Sequence, residues 1–329
     1  MPEWIVEKGI GETRAALVGD GRILEARIEL EGTTPAGTIL EARLVQAGAG
    51  GRNGTARDES GTDYLLPHVP KEITEGATFT MEITRAATAG PVPEPWKRPL
   101  AKATRHERRR PQSLTERLRA TGQAVRKLAF PAPRDEFAEL GWNELVDEAR
   151  SGRIDFPGGS LGLFFTPAMT LIDVDGTLPA QELAIAGARA AAEAIRRLDI
   201  GGSIGIDLPT ARGRDARSAA AQAVDDALPQ PFERTAVNGF GFLQVVRPRA
   251  RVSLLELAQD GAGFEARALL RRVAFDPPGP KRLVAHSAVA AVIEARPDWT
   301  DALAMQVGGP VTLRADATLP IHGSYAEKG

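Results

Sequence analysis

Two short apolar runs in this chain each close on an aspartate, Met169-Thr-Leu-Ile-Asp173 and Ser203-Ile-Gly-Ile-Asp207, and a third acid follows at Asp175. An Ala-rich stretch with helical periodicity, Gln181–Leu198, separates them. In a strand–helix–strand unit the two strands run parallel and the crossover is right-handed. Both strands then finish at one sheet edge, where open α/β sheets hold their ligands. Asp173 and Asp207 are predicted to stand side by side there. Adjacent carboxylates repel each other unless a proton or a cation lies between them. Oxygen ligands without thiolates suit Mg²⁺ or Mn²⁺, and an ion held this way suits chemistry on a phosphate group. The bland alternative is a pair of ordinary acids in turn chemistry at strand ends.

Composition narrows the classes around that pair. A chain of 329 residues, 43% hydrophobic, is long enough for two or three domains with their own cores. The absence of cysteine excludes disulfides, zinc–thiolate sites and iron–sulfur clusters. His68, His106, His286 and His322 are scattered, so local spacing offers no histidine metal motif and no Ser-His-Asp set. Glu3, Glu7 and Lys8 do not read as a signal peptide. No apolar run approaches the roughly 20 residues that span a bilayer. A soluble, cytoplasmic protein with no membrane partner is the expectation.

Charge is uneven. The net value is −2, yet Lys97–Arg134 holds twelve Lys or Arg against two acids, Glu107 and Glu116. Arg108, Arg109 and Arg110 are its densest part. Such a run reads either as a polyanion-binding face or as a solvated linker. Arg247, Arg249 and Arg251, after the strand Gly241–Val246, read as a phosphate clamp beside the metal or as a solvated strand end.

Periodicity places these residues on elements. Trp4–Val6, Thr13–Val18 and Ile23–Leu30 are predicted strands, with a hairpin turn at Gly19-Asp-Gly21. Thr38–Gln46, Asp63–Leu66 and Thr78–Arg85 continue the β pattern, with Gly-rich turns at 48–54, and suit a small barrel of the OB type. A Pro-rich break lies at Pro91–Pro95. Ser113–Leu128 and Asp135–Ser151 are predicted helices. Ile154–Phe165 reads as strand, Gly turn, strand, and Asp215–Leu228 as a helix. Residues 262–329 read as a smaller unit of helix, helix and short strand.

The central segment resembles the ribonuclease E/G family. The matching text is Phe156-Pro-Gly-Gly-Ser-Leu161, Leu171-Ile-Asp-Val-Asp175, Leu198-Asp-Ile-Gly-Gly-Ser-Ile-Gly-Ile-Asp-Leu208 and Phe240-Gly-Phe-Leu-Gln-Val-Val-Arg-Pro-Arg249. Ile10-Gly-Glu-Thr-Arg-Ala-Ala-Leu17 is similar to the family's opening strands, and Pro310–Asp316 to its small domain. The resemblance implies an α/β fold: a split RNase H-like domain (1–34 and 97–152), an inserted OB-fold RNA-binding domain (35–90), a DNase-I-like catalytic subdomain (153–258) and a small C-terminal domain (262–329). It implies Asp173 and Asp207 as the ligands of Mg²⁺ or Mn²⁺. It places Asp175 where the family carries an asparagine that orients water or phosphate. Of two barrel aromatics that stack on RNA, one position corresponds to Tyr64 and the other to Ala56; Tyr64 also reads as a half-buried barrel aromatic. The family's zinc-link cysteines and an evident 5′ sensor are missing, so no zinc is expected, and a monomer or dimer that is not zinc-linked is.

Three functions follow as expectations. The leading one is a Mg²⁺-dependent endoribonuclease on single-stranded RNA, leaving 5′-phosphate and 3′-hydroxyl ends. A second is a catalytically weak or inactive RNA-binding protein of the same fold. A third comes from Asp173-Val-Asp-Gly-Thr177, which is similar to the first motif of haloacid-dehalogenase phosphatases. The context opposes it, because no lysine lies between residues 128 and 280 and Asp225-Asp226 falls inside a predicted helix.

Overall fold

The computed structural model describes residues 1–87, 98–166 and 168–329. The Pro-rich break at Pro91–Pro95 and Lys97 lie outside them. Among the described residues the chain is a mixed α/β protein with four sheets, one of them a closed five-stranded barrel. It divides into two units. The first joins Met1–Glu31, Leu118–Gly152 and Leu254–Gly329; the second joins Gly32–Arg117 and Arg153–Ser253.

β1 (Glu3–Lys8), β2 (Glu12–Gly19) and β3 (Arg22–Leu30) open the first unit as an antiparallel meander. Asp20 and Gly21, both at positive φ, make the expected tight turn between β2 and β3. Trp4, Ile5, Ala15, Ala16 and Leu17 are buried.

The second unit begins with the barrel. β4 (Ile39–Gln46), β5 (Arg52–Asp58), β6 (Asp63–His68), β7 (Thr78–Arg85) and β8 (Leu100–Ala103) close in the order β4-β5-β6-β8-β7. Leu44, Tyr64, Leu66, Met81, Ile83 and Ala101 fill its interior. Two strands depart from the expected pattern. β5 begins inside the stretch read as turns, because Arg-Asn-Gly-Thr-Ala-Arg-Asp has no apolar alternation and is recruited by pairing with β4 and β6. β8 lies beyond residue 90, so the barrel closes with a strand outside the expected boundary.

The predicted helix Ser113–Leu128 splits into α1 (Leu114–Arg119) and β9 (Ala124–Leu128), with Gly122 at φ 80° between them. β9 adds parallel to β1 and completes the sheet β3-β2-β1-β9 of the first unit. Tertiary pairing overrides a weak helical pattern here. The predicted helix Asp135–Ser151 is likewise two, α2 (Glu136–Glu139) and α3 (Trp142–Ser151), parted at Gly141 with φ 89°.

The second unit resumes with β10 (Arg153–Phe156), β11 (Gly159–Phe165), β12 (Thr170–Gly176), α4 (Ala180–Arg197), β13 (Gly202–Asp207), α5 (Arg214–Ala227), β14 (Glu233–Arg234) and β15 (Phe242–Arg247). They form the sheet β10-β11-β12-β13-β15-β14. The β12–β13 pair is parallel, and the remaining pairs are antiparallel. α4 packs on β10, β11 and β12 and against α5. Its Gly187, Ala188, Ala191 and Ala192 allow close approach to the buried Ile172 and Val174. The opposite face of the sheet carries the exposed Phe164, Leu171 and Val246.

α6 (Leu254–Gln259), α7 (Ala262–Ala274), β16 (Lys281–Ala285), α8 (Ser287–Glu294), α9 (Pro297–Val307), β17 (Val311–Ala315) and β18 (Tyr325–Lys328) complete the first unit. Leu269, Leu270, Val273, Leu283, Val289, Ile293 and Leu303 make one core with Ile10. Beside it runs a buried charge network. Arg271 donates to Glu7 (2.8 and 3.0 Å) and to Asp135 (2.6 Å to each oxygen). Arg267 donates to Glu12 at 3.2 Å, and Arg14 donates to Glu12 as well. Burial alone would push the Glu12 carboxyl up; Arg14 and Arg267 outweigh it and hold it below the ordinary value. A cavity of about 210 Å³, lined by Arg14, Trp142, Arg150, Phe264 and Arg271, adjoins the network. No helix among the described residues is long and apolar enough to cross a membrane.

Candidate active site

Alternation along β12 sets the first ligand. Thr170, Ile172 and Val174 are buried, which leaves Leu171, Asp173 and Asp175 on the open face. β13 behaves the same way: Ile204 and Ile206 are buried, and Asp207 is exposed. The parallel register pairs Asp173 directly with Asp207. Neighbouring strands lie about 4.8 Å apart, so the two carboxylates share one edge. Asp175 follows Asp173 on the same face.

Electrostatics record the crowding. The Asp173 carboxyl is pushed above the ordinary aspartate value, first by burial, then by the charges of Asp175 and Asp207; the Val174 backbone N–H opposes the shift. Such a group gains when a cation arrives. Among the described residues no three His, Asp or Glu side chains converge to hold an ion alone. Mg²⁺ commonly takes one or two carboxylates and completes its shell with water and substrate phosphate. Asp173 and Asp207 fit that donor pattern.

Following the register sideways gives one row across five strands: Arg153, Gly162, Asp173, Asp207 and Phe242. Arg153 is exposed and pairs with Asp155 at 2.9 Å. Surface pairs of this kind contribute about 0–1 kcal/mol and exchange partners readily. Sequence reasoning passed over Arg153. Its signal was the strand Arg153-Ile-Asp-Phe, whose alternation puts Arg153 and Asp155 opposite the buried Ile154.

The other arginines lie elsewhere. Arg247 pairs in register with Gly202, five positions from the Asp207–Phe242 pair; at about 3.3 Å per residue that is roughly 17 Å along the strand. Arg247 donates to the Ile200 carbonyl at 3.1 Å, and both Arg247 and Arg251 pair with Asp199. The Arg249 guanidinium lies over the Phe165 ring at 5.7 Å. A clamp beside the carboxylates is therefore corrected for Arg247 and Arg251. β15 is antiparallel to β13, so its C-terminal arginines exit at the far edge.

Tyr64 is also corrected. It is 0% exposed, packed inside the barrel, and its hydroxyl donates to Asp58 Oδ2 at 2.9 Å. Burial pushes the phenol up to about 12. A ring in that position offers no face to a base. Arg108 and Arg110 are exposed but paired, Arg108 with Glu41 at 3.1 Å and Arg110 with Glu116 at 2.5 Å. Arg110 and the Ser113 groups draw the Glu116 carboxyl down to about 2. Arg109 is fixed by its backbone, which exchanges hydrogen bonds with Ile39. The 108–110 run lies at the surface, with Arg108 and Arg110 in exposed ion pairs and Arg109 held through its backbone. Neither a protein-family model nor a curated protein sequence matches the chain.

Proposed function

We propose that this chain is a metal-dependent endoribonuclease that cleaves single-stranded RNA at the Asp173–Asp207 row, in the manner of the ribonuclease E/G enzymes it resembles. In this reading the barrel is an OB-type RNA-binding domain. The four-stranded sheet is RNase H-like, and the six-stranded sheet is the DNase-I-like catalytic part. The observation that carries the reading is the direct register of Asp173 with Asp207 on the face of that sheet opposite α4.

Asp173 and Asp207 would hold Mg²⁺ or Mn²⁺. When bound, such an ion supplies Lewis acidity toward a phosphate oxygen and makes a water more acidic. The remaining work falls to the chain. Asp175, two residues on and on the same face, accepts a hydrogen bond from the attacking water and orients it. Arg153, on the same row, offers a planar guanidinium to the phosphate. Water would attack phosphorus and give up a proton to solvent, while the bond to the 3′ oxygen breaks and that oxygen takes a proton from solvent. The products carry a 5′-phosphate and a 3′-hydroxyl.

The test is cleavage of an end-labelled single-stranded RNA with Mg²⁺, Mn²⁺ or chelator, beside hydrolysis of a generic phosphomonoester. Removing a ligand loses several kcal/mol of stabilisation, so Asp173→Asn and Asp207→Asn should each lower cleavage about 100-fold or more. Asp175→Asn keeps a hydrogen-bond acceptor and should retain cleavage. Full RNA cleavage by Asp173→Asn would sink the assignment. Phosphomonoesterase activity that Asp175→Asn destroys, without RNA cleavage, would establish the phosphatase reading of Asp173-Val-Asp-Gly-Thr177 instead.

A further inference from the structure

Two aromatic rings are laid against the carboxylate row. Gly162 pairs with Asp173, and Gly205 precedes Asp207 by two positions on the same face. Each glycine is roofed by a phenylalanine. A Cβ at Gly162 would stand 3.0 Å from Cε2 of Phe164. A Cβ at Gly205 would stand 2.6 Å from Cζ of Phe242 and 3.0 Å from Cδ2 of Leu171. The rings therefore lean down over bare backbone, one on each side of the Asp173–Asp207 pair. Phe164 keeps 57% of its surface exposed, and Phe242 is partly exposed. The turn that delivers Phe242 is held by Asn238, whose Oδ1 accepts from the N–H groups of Phe240 (2.9 Å) and Phe242 (3.1 Å).

Exposed apolar residues scattered singly need no explanation. These rings share a face with three acids and an arginine: Phe242 is in register with Asp207, and Phe164 lies two positions along β11 from Gly162, the partner of Asp173. We propose that Phe164 and Phe242 are stacking platforms for the two bases that flank the phosphate held at Asp173 and Asp207, an inference that rests on the nuclease reading. The acids alone would repel a phosphate; with a divalent ion held by Asp173 and Asp207, as the nuclease reading has it, the row would offer a phosphate that cation and Arg153. A second copy of the chain, or an apolar partner, would bury Asp173, Asp175 and Asp207 without neutralising them, which is expensive. A single strand brings a phosphate for Arg153 and a divalent ion, and π faces for the rings. Every base has such a face, so the platforms select unstacked nucleotides with little regard to sequence. Bases inside a duplex are already stacked and paired and have no free face to offer.

The experiment measures affinity of the full chain for a short single-stranded oligoribonucleotide with Ca²⁺ in place of Mg²⁺, and kcat and KM for its cleavage with Mg²⁺. Phe164→Ala and Phe242→Ala should each weaken binding about 5- to 150-fold, the range for losing one stacked base. Phe164→Leu and Phe242→Leu, which keep apolar bulk without the ring, should weaken it as well, while thermal melts show the fold intact. An abasic nucleotide beside the scissile phosphate should weaken wild-type binding and leave one alanine variant indifferent to the change. Wild-type cleavage with unchanged affinity in both phenylalanine variants overturns the platforms and leaves the nuclease reading standing. Binding that depends on the rings without cleavage under any metal keeps the platforms and overturns hydrolysis. No RNA binding or cleavage by wild type overturns both. A dimer in solution that Phe164→Ala dissociates would assign the face to a second copy and also overturn the inference.

Discussion

Asp173 holds its proton to higher pH than an ordinary aspartate, and burial with the neighbouring Asp175 and Asp207 is the cause. A carboxyl raised in the folded state contributes stability that is present below the unfolded value, about 3.9, and is lost as pH rises through the raised value. At neutral pH the ionised group is therefore a liability without a cation. Asp173→Asn should melt at the same temperature as wild type or higher at pH 7 in chelator, and this advantage should vanish near pH 3. Adding Mg²⁺ should stabilise wild type and not the variant; a variant that melts lower at pH 7 in chelator would contradict the crowding. Tyr64 gives the opposite kind of prediction. Truncating a buried aromatic loses about 3–5 kcal/mol, so Tyr64→Ala should unfold the barrel early in thermal melts. Tyr64→Phe should leave RNA affinity unchanged. The acids were legible because strand–helix–strand handedness dictates which residues meet at an edge. Tyr64 was not, since an isolated strand does not reveal which of its faces a closing barrel will enclose.

Strands and their directions explain most of what else was hidden. Arg247, Arg249 and Arg251 follow an apolar run just as Asp173 and Asp207 do, and nothing local says that β15 runs antiparallel to β13. That single reversal moves them to the far edge of the sheet. Arg153 was masked for a related reason: it matters only because β10 is in register with β11, and β11 with β12. The stretch 113–128 shows apolar spacing that suits a helix, yet Ala124–Leu128 pairs along β1. The sheet elements also permit a sharp mutational test. Gly205→Ala places a Cβ against Phe242 and Leu171, and overpacking of this sort costs about 1–3 kcal/mol. Its melting temperature should fall. If the rings are platforms, its RNA affinity should fall as well, whereas Gly187→Ala, which meets Val174 on the helix side, should lower stability without that loss.

At the scale of the molecule, two units are each assembled from separated stretches of one chain. In the first, the ties are charged as well as apolar. Arg271 satisfies Glu7 and Asp135 together, with its side chain 6% exposed. Breaking a buried pair from one side costs about 3–5 kcal/mol because the partner charges stay buried and unpaired. Arg271→Leu should lower stability by that order in urea denaturation, and Glu12→Gln should also destabilise, leaving Arg14 and Arg267 without their shared anion. Glu12 acts with the opposite sign to Asp173. Its contribution is present above the ordinary carboxylate value and is lost as pH falls through its depressed one, so acid should melt wild type toward the Glu12→Gln level. None of this network was readable in advance, since its members are dispersed along the sequence and no local pattern marks them as partners.

Those separations have a consequence for the chain while it is being made. Glu7 meets Arg271 across 264 residues, and Glu12 meets Arg267 across 255. At about 5–20 residues per second, a ribosome needs roughly 13–53 s to bridge the longer gap. For that time the opening hairpin has emerged carrying acids destined for an interior whose cations have not yet been translated. Both segments of the second unit leave the exit tunnel within the same interval, so it can be complete while the first unit is still waiting. Residues 254–329, translated after both stretches of the second unit, thus complete the domain that residues 1–31 began, and a nascent chain stalled after residue 253 would present β1, β2 and β3 to chaperones instead of to their own core.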